Sequence, residues 1–244
     1  VTLGGTLGLN EGKPIPIYLG IRKDWPELAS IFNKAMQEID YDDFQRIRNR
    51  WIDTGESFSN RSVKLNNEQT IELTKVEKDW LEKNQVWTVA NELDWPPFDF
   101  AEDGVPSGYS VDLINLALAN LGVEVKWVNG FTWAELLEKF KKGEIHVLPA
   151  LYKTEERKKY IAYTYSYAAN PSVLVVHEDN SEITSLKDLK GKTIASIASF
   201  SIADEISVQY PDINQIHYKN ANEALASVSQ KKTSAFIGSI GVIS

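Results

Sequence analysis

The chain has 244 residues, 43% of them apolar, which is enough to bury a sizeable core in one domain or two and excludes a disordered chain. Its 26 basic and 34 acidic residues leave a net charge of -8 with no Lys/Arg block long enough to track a phosphate backbone, so nucleic acid is not an expected partner. Cysteine is absent, which excludes disulfides, thiolate catalysis and Cys-ligated metals without fixing a compartment; no apolar run approaches the ~18 residues of a membrane helix and Val1 opens no leader pattern, so the sequence reads as a soluble piece of a longer chain.

Residues 1–20 hold two short β-branched runs, VTLGGTLGL and PIPIYLGI, separated by Gly and Pro, and read as loop, strand, loop, strand. The Gly4, Gly5 and Gly8 cluster lacks the following helix that a phosphate loop requires and reads as turn chemistry. Asp24-Trp25-Pro26-Glu27 starts a helix, with Asp24 as cap and Pro26 in the first turn, running to about residue 39. Leu28, Ile31, Phe32, Ala35 and Ile39 form one apolar stripe, and Phe44, Ile47, Arg48 and Trp51 continue it on a second short helix. Residues 53–69 turn polar and aperiodic, as a linker does. Thr74 and Glu77 then form a capping box, opening a helix that leads into a strand over 86–90.

From here strands and helices alternate. Spacing at Val111, Ile114, Leu118 and Leu121 predicts a helix stopped by Gly122, followed by a strand over 123–128. Thr132 with Glu135 opens the next helix, Gly143 ends it, and a strand covers 145–148. The stretch 147–176 is an apolar strand, a polar turn and a second apolar strand; Thr154 caps a helix-like segment over 155–160. That places Arg157 in a first helical turn, where the macrodipole favours anions. Its planar fork suits a carboxylate, and the alternative is a surface ion pair with Glu155 or Glu156. A turn over 185–190, a strand over 193–197, a helix opened by Ser201 and Asp204, a helix capped by Asn220 and Glu223, and a strand over 234–238 complete the pattern. The alternation predicts parallel sheets covered by helices in two sets, 86–176 and 193–238, hence two lobes and a cleft. His146, His177 and His217 are dispersed, and neither a P-loop nor a nucleophile elbow is present, so no metal, cofactor or catalytic group is expected.

With WPPFDF at 95–100, Gly104, Gly108-Tyr109, Asp112 and Thr154-Glu155-Glu156-Arg157, the chain resembles periplasmic type 2 solute-binding proteins, in their amino-acid-binding branch, bacterial extracellular solute-binding family 3. LGIRKDWPELASIFNKAMQEI looks like the closing strand and helices of another copy, and LTKVEKDWLEKNQVWTVA like the joint of a tandem pair. Such pairs are typical of Venus flytrap sensor domains in bacterial transmembrane histidine kinases and diguanylate cyclases. The resemblance implies an α/β, two-lobed periplasmic-binding-protein-like fold, divided into residues 1–52 as the C-terminal part of a first module, 53–85 as linker and joining helix, 86–182 as lobe 1 of a second module and 183–244 as an incomplete lobe 2. It also reads like a circular permutation of one module, in which Leu28, Ile31, Phe32 and Trp51 pack on the lobe of 86–176, within one chain or between two as a swap or dimer.

By the same resemblance Arg157 grips a ligand carboxylate, Trp95 and Trp133 stack on ligand, with Trp133 exposed at its helix start, and Glu92 reads a cationic side chain; core packing and a solvated Glu are the alternatives. Ser199 and Ser201 complete the carboxylate site, unless Ser201 only caps its helix. Ala150 and Tyr152 stand where small hydroxyl residues are common. Ser239 replaces the Asp that commonly pairs with the ligand ammonium, a contact worth about 1.5–3 kcal/mol. The implied function is extracytoplasmic sensing of a small anionic solute, an amino acid or related carboxylate, relayed to adjacent flytrap and transmembrane signalling domains from a periplasmic position. The rivals are the binding subunit of an uptake transporter, an enzyme with Glu92 as its acid or base, and a ligand-free structural module.

Overall fold

A computed structural model of the chain describes residues 1–6, 14–52, 71–119, 121–197 and 200–239, so the polar segment 53–69 and Gly8 lie outside the described residues. In chain order the elements are β1 (Thr2–Thr6), β2 (Ile15–Arg22), α1 (Pro26–Gln37), α2 (Tyr41–Trp51), α3 (Lys75–Lys83), β3 (Val86–Ala90), β4 (Asp94–Trp95), β5 (Asp99–Glu102), β6 (Val105–Ser107), α4 (Tyr109–Leu118), β7 (Glu124–Val128), α5 (Trp133–Lys141) and β8 (Val147–Leu151). They continue with β9 (Ile161–Tyr163), β10 (Ala168–Asn170), β11 (Ser172–Val176), β12 (Thr193–Ile197), α6 (Ser201–Gln209), β13 (Asn214–Tyr218), α7 (Ala221–Ser229) and β14 (Ala235–Ser239). The chain divides into two compact units, one of residues 18–131 and 135–167, the other of residues 1–17, 132–134 and 168–244.

In the first unit β8 is the centre of the sheet, and its run VLPAL is buried at every position because both faces are covered. It pairs parallel with β3, which pairs parallel with β7, and antiparallel with β2, which also takes β9 antiparallel. The sheet is therefore mixed rather than all parallel: β2 arrives from the N-terminus without a crossover helix, and nothing forces it into the parallel direction. The stripe of Leu28, Ile31, Phe32 and Ala35 on α1 is buried, and the Phe32 ring meets Trp87 of β3 at 5.4 Å between centroids. Beside that seam Glu77 of α3 accepts from Ser30 (2.6 Å) and Lys34 (2.7 Å) of α1 while also closing the capping box with Thr74. Trp51 Nε1 (2.7 Å) and Arg50 (3.1 Å) of α2 both donate to Asp112 of α4. Residues 18–52 thus pack on 71–167 within their own chain.

Two local expectations change. Trp25 is the cap residue of α1, because Asp24 is held by the guanidinium of Arg22 (Nε to Oδ1 3.0 Å) and its carboxylate is not free to cap. Residue 39 lies beyond the end of α1 at Gln37. The three strands β4, β5 and β6, which form a small antiparallel sheet, were not predicted; two to four residues are too few for a readable alternation.

In the other unit the sheet order is β1, β11, β14, β12, β13, with β12 parallel to β13 and β14, and β11 antiparallel to β14 and β1. Residues 168–176, grouped in the sequence reading with the set 86–176, belong to this unit. Alternate residues of β11 explain both faces: Leu174 and Val176 pack with Ile202 and Ile206 of α6, whereas Val173 and Val175 pack with Ala224 and Val228 of α7. Asn220 caps α7 by accepting from the Glu223 N–H at 2.9 Å.

Candidate functional site

Arg157 opens a 3₁₀ turn over Arg157–Lys159 whose geometry is set by Thr154, the Oγ1 of which accepts from the Arg157 N–H at 3.2 Å. The side chain is 6% exposed, and one of its terminal nitrogens donates to the Tyr152 carbonyl at 3.1 Å. A guanidinium this deep keeps its charge and needs acceptors around it. One of its electrostatic partners is Glu92, 4% exposed, whose carboxyl is pushed well up by burial and by Asp99 and Asp94 while Arg157 pulls it down. The strand β3 delivers Glu92 two residues past its last paired position, and β4 then places Trp95, whose ring meets Tyr152 edge-on at 5.5 Å. Glu92, Trp95, Tyr152 and Arg157 thus come together in one compact unit, although they are spread over 66 positions of the sequence.

The remaining expected residues fall elsewhere. Ala150 is buried inside β8. Trp133, expected to be exposed at its helix start, is only 8% exposed; it opens α5 in the short piece 132–134 that clusters with the second unit. Ser201 is half-buried at the first position of α6, where Phe200 rather than Ser201 is the cap residue. Ser239 ends β14, its backbone opposite Ser172, and Ser199 lies outside the described residues.

Sequence reasoning missed Asn91 and Asp99, both fully buried. Asp99 Oδ1 accepts from Asn91 Nδ2 at 2.7 Å, and Asp99 Oδ2 accepts from the Glu92 N–H at 3.2 Å. The available signal was the Asp between two aromatics in FDF, an acid in an apolar setting. Burial pushes the Asp99 carboxyl up to about 7, against the pull of its bonds from Asn91 and Glu92.

A separate cavity of about 300 Å³ is lined by Arg22, Lys23, Asp24, Lys141, Lys142 and Tyr160. Three of its four basic groups have acceptors, Arg22 on Asp24 and the Gly143 carbonyl, Lys23 on the Lys158 carbonyl and Lys141 on Glu138, so it is a cross-braced surface pocket. Among the described residues no group of His, Asp and Glu is arranged to hold a metal ion, and no helix is long and apolar enough to cross a membrane.

A sequence profile of the bacterial extracellular solute-binding proteins, family 3, matches residues 87–238, well over half of the chain. The chain belongs to that family. Its fold is the α/β periplasmic-binding-protein, or Venus flytrap, class. Among relatives of this family 3 chain, a probable amino-acid-binding protein, YxeM of Bacillus subtilis, is 27% identical over 150 residues, 60% of the chain and 56% of YxeM. The virulence sensor protein BvgS of Bordetella pertussis is 23% identical over 219 residues, 89% of the chain but 17% of BvgS. Among solved structures, the arginine-bound form of truncated ArgBP from T. maritima superposes with a TM-score of 0.60 at 28% identity, covering 68% of the chain and 78% of ArgBP. The chain therefore spans little more than half of YxeM and about a sixth of BvgS.

Proposed function

We propose that this family 3 chain is an extracytoplasmic sensing domain that binds an amino acid, with the carboxylate taken by Arg157 and a cationic group taken beside Glu92. The observation that carries the reading is the facing pair itself: a buried guanidinium and a buried carboxyl group in one compact unit, with Trp95 and Tyr152 beside them. A buried Arg has charge to give to a bidentate acceptor, and a buried Glu is costly unless a cation meets it. The arginine-bound relative supports a basic amino acid as the solute class. Trp133, Ser199, Ser201, Ala150 and Ser239 remain proposed contributors by their family positions. The reading is a binding function with no catalytic step, periplasmic in place, and relayed to a membrane-linked output domain through an adjacent flytrap module.

The sensor reading is preferred to an uptake subunit because the similarity to BvgS runs over 89% of the chain, beyond the family core of 87–238 and into the N-terminal helices, whereas that to YxeM covers 60%. On this reading residues 1–52 derive from a preceding module and 53–85 join it to the next. The test is a thermal-shift and calorimetric screen of the whole chain with arginine, lysine, histidine, glutamine, glutamate and agmatine. Arginine at 100 times its Kd should stabilise by ~2.7 kcal/mol, agmatine, which lacks the carboxylate, by far less, and Arg157→Ala should abolish the difference. Equal stabilisation of the native protein and Arg157→Ala would remove Arg157 from the site.

A further inference from the structure

We infer that the buried corner of Glu92 and Asp99 holds one proton in the ligand-free protein, and that a cationic amino acid binding beside Glu92 displaces it, so that uptake of the solute releases a proton to solvent. The inference rests on the binding reading above and adds a residue, Asp99, that does not touch ligand but sets how tightly the proton is held.

The geometry is local to the corner where β3 ends and β5 begins. Asp99 is tied by both oxygens to the residues that carry Glu92: one oxygen to the Asn91 side chain at 2.7 Å, the other to the Glu92 N–H at 3.2 Å. These bonds hold Asp99 against the Glu92 backbone, and the two carboxyls are both buried, at 0% and 4% exposure. The charged groups acting on Glu92 are Asp99 from β5, Asp94 from β4 and Arg157 from the 3₁₀ turn. Two buried acids, with the half-buried Asp94 and one cation beside them, do not all ionise, since the desolvation and like-charge effects add.

The hydrogen-bond inventory makes the same demand independently. Asn91 is fully buried; its Nδ2 serves both Asp99 and the Phe100 carbonyl (2.9 Å), while its Oδ1 accepts from no described residue. A neutral carboxyl is the donor this corner lacks, because an ionised one offers acceptors only. The hydroxyl of Tyr167, which lies in the field of Asp99, is already committed: it donates to the Pro149 carbonyl at 2.8 Å and accepts from Ser110 Oγ at 2.7 Å. The other tyrosines acting on Tyr167 are Tyr109, stacked on its ring at 5.8 Å, and Tyr152, edge-on to Trp95 at 5.5 Å. Burial pushes both carboxyls up, Asp99 to about 7, so the corner keeps a proton below neutral pH. When a guanidinium or ammonium arrives beside Glu92, the carboxylic acid becomes a carboxylate, the O–H bond breaks, and the proton leaves to buffer.

The experiment is isothermal titration calorimetry of arginine, and of citrulline as its uncharged counterpart, into the whole chain at pH 6.5 in buffers of different ionisation enthalpy. For arginine the apparent enthalpy should vary linearly with buffer enthalpy, with a slope approaching one proton released, shrinking above pH 8; citrulline should give a slope near zero. Glu92→Gln should remove the arginine slope and weaken arginine at least ~10-fold while leaving citrulline within ~3-fold, as loss of one charge-assisted partner implies. Asp99→Asn, with its fold checked by circular dichroism, should halve the slope or more at pH 6.5. A merely structural role would weaken both ligands alike and leave the slope unchanged. Tight arginine binding with zero slope overturns the proton release and leaves the binding reading standing. If neither arginine, lysine nor histidine binds at millimolar concentration, the binding reading falls and the release with it.

Discussion

Replacing Glu77 by glutamine tests how the N-terminal helices are held. Burial pushes the Glu77 carboxyl up, but Lys34 and Ser30 of α1 and Thr74 at the start of α3 overcome it and hold the group at about 2 instead of 4.5. At ~1.4 kcal/mol per pH unit this is worth ~3 kcal/mol, reduced towards ~2 kcal/mol because the Lys34 side chain is 32% exposed and its charge is screened. For a chain of this size ~2 kcal/mol corresponds to ~4–8 °C in the unfolding midpoint. A carboxylate held below its unfolded value stabilises fully above pH ~4.5 and loses that stabilisation as pH falls towards ~2. Thermal unfolding followed by circular dichroism should therefore give a native-to-Glu77→Gln gap of several degrees at pH 7 that narrows steadily in acid. A gap under 1 °C at pH 7, or one that persists undiminished at pH 2.5, would refute the clamp.

Three further expectations concern the same frame. Phe32→Ala removes a fully buried ring from the seam with Trp87 and should cost ~3–5 kcal/mol, read as a shifted urea midpoint. Asp112→Ala takes the acceptor from Trp51 Nε1 and Arg50 and should cost ~1–3 kcal/mol, with faster amide exchange confined to α2. Gly108→Ala places a Cβ 2.5 Å from the Phe98 carbonyl oxygen at a backbone φ of +119°, so it should destabilise by more than ~2 kcal/mol in denaturant melts; an unchanged melt would mean that the turn relaxes at no cost.

Arg157 was readable because its signals are local: Thr154 three positions earlier sets the turn, and a fork-shaped cation after an apolar strand is visible in the sequence. Glu92 was named from the motif beside it, but its burial was not readable, since an isolated Glu after a strand is ordinarily solvated. Asp99 and Asn91 were missed for the same reason in stronger form. Their partners lie within nine positions, yet only the fold of the small β4–β5–β6 sheet turns those positions inward.

Features that depend on neighbours a few residues away are written in the sequence: the alternation of strands and helices, the capping box at Thr74, the Asn220 cap, the apolar stripe of α1 and the family motif. Propensity and side-chain periodicity act over one or two turns, so they are written in the chain. It took the folded chain to settle that β2 enters its sheet antiparallel beside β8, that residues 172–176 pair with β14 rather than with the strand preceding them, and that Glu92, Asp99 and Arg157 share a dry corner. Strand partners are chosen by long-range hydrogen bonding and burial, and the proton affinity of a carboxyl by whichever charges the fold brings within a few ångströms.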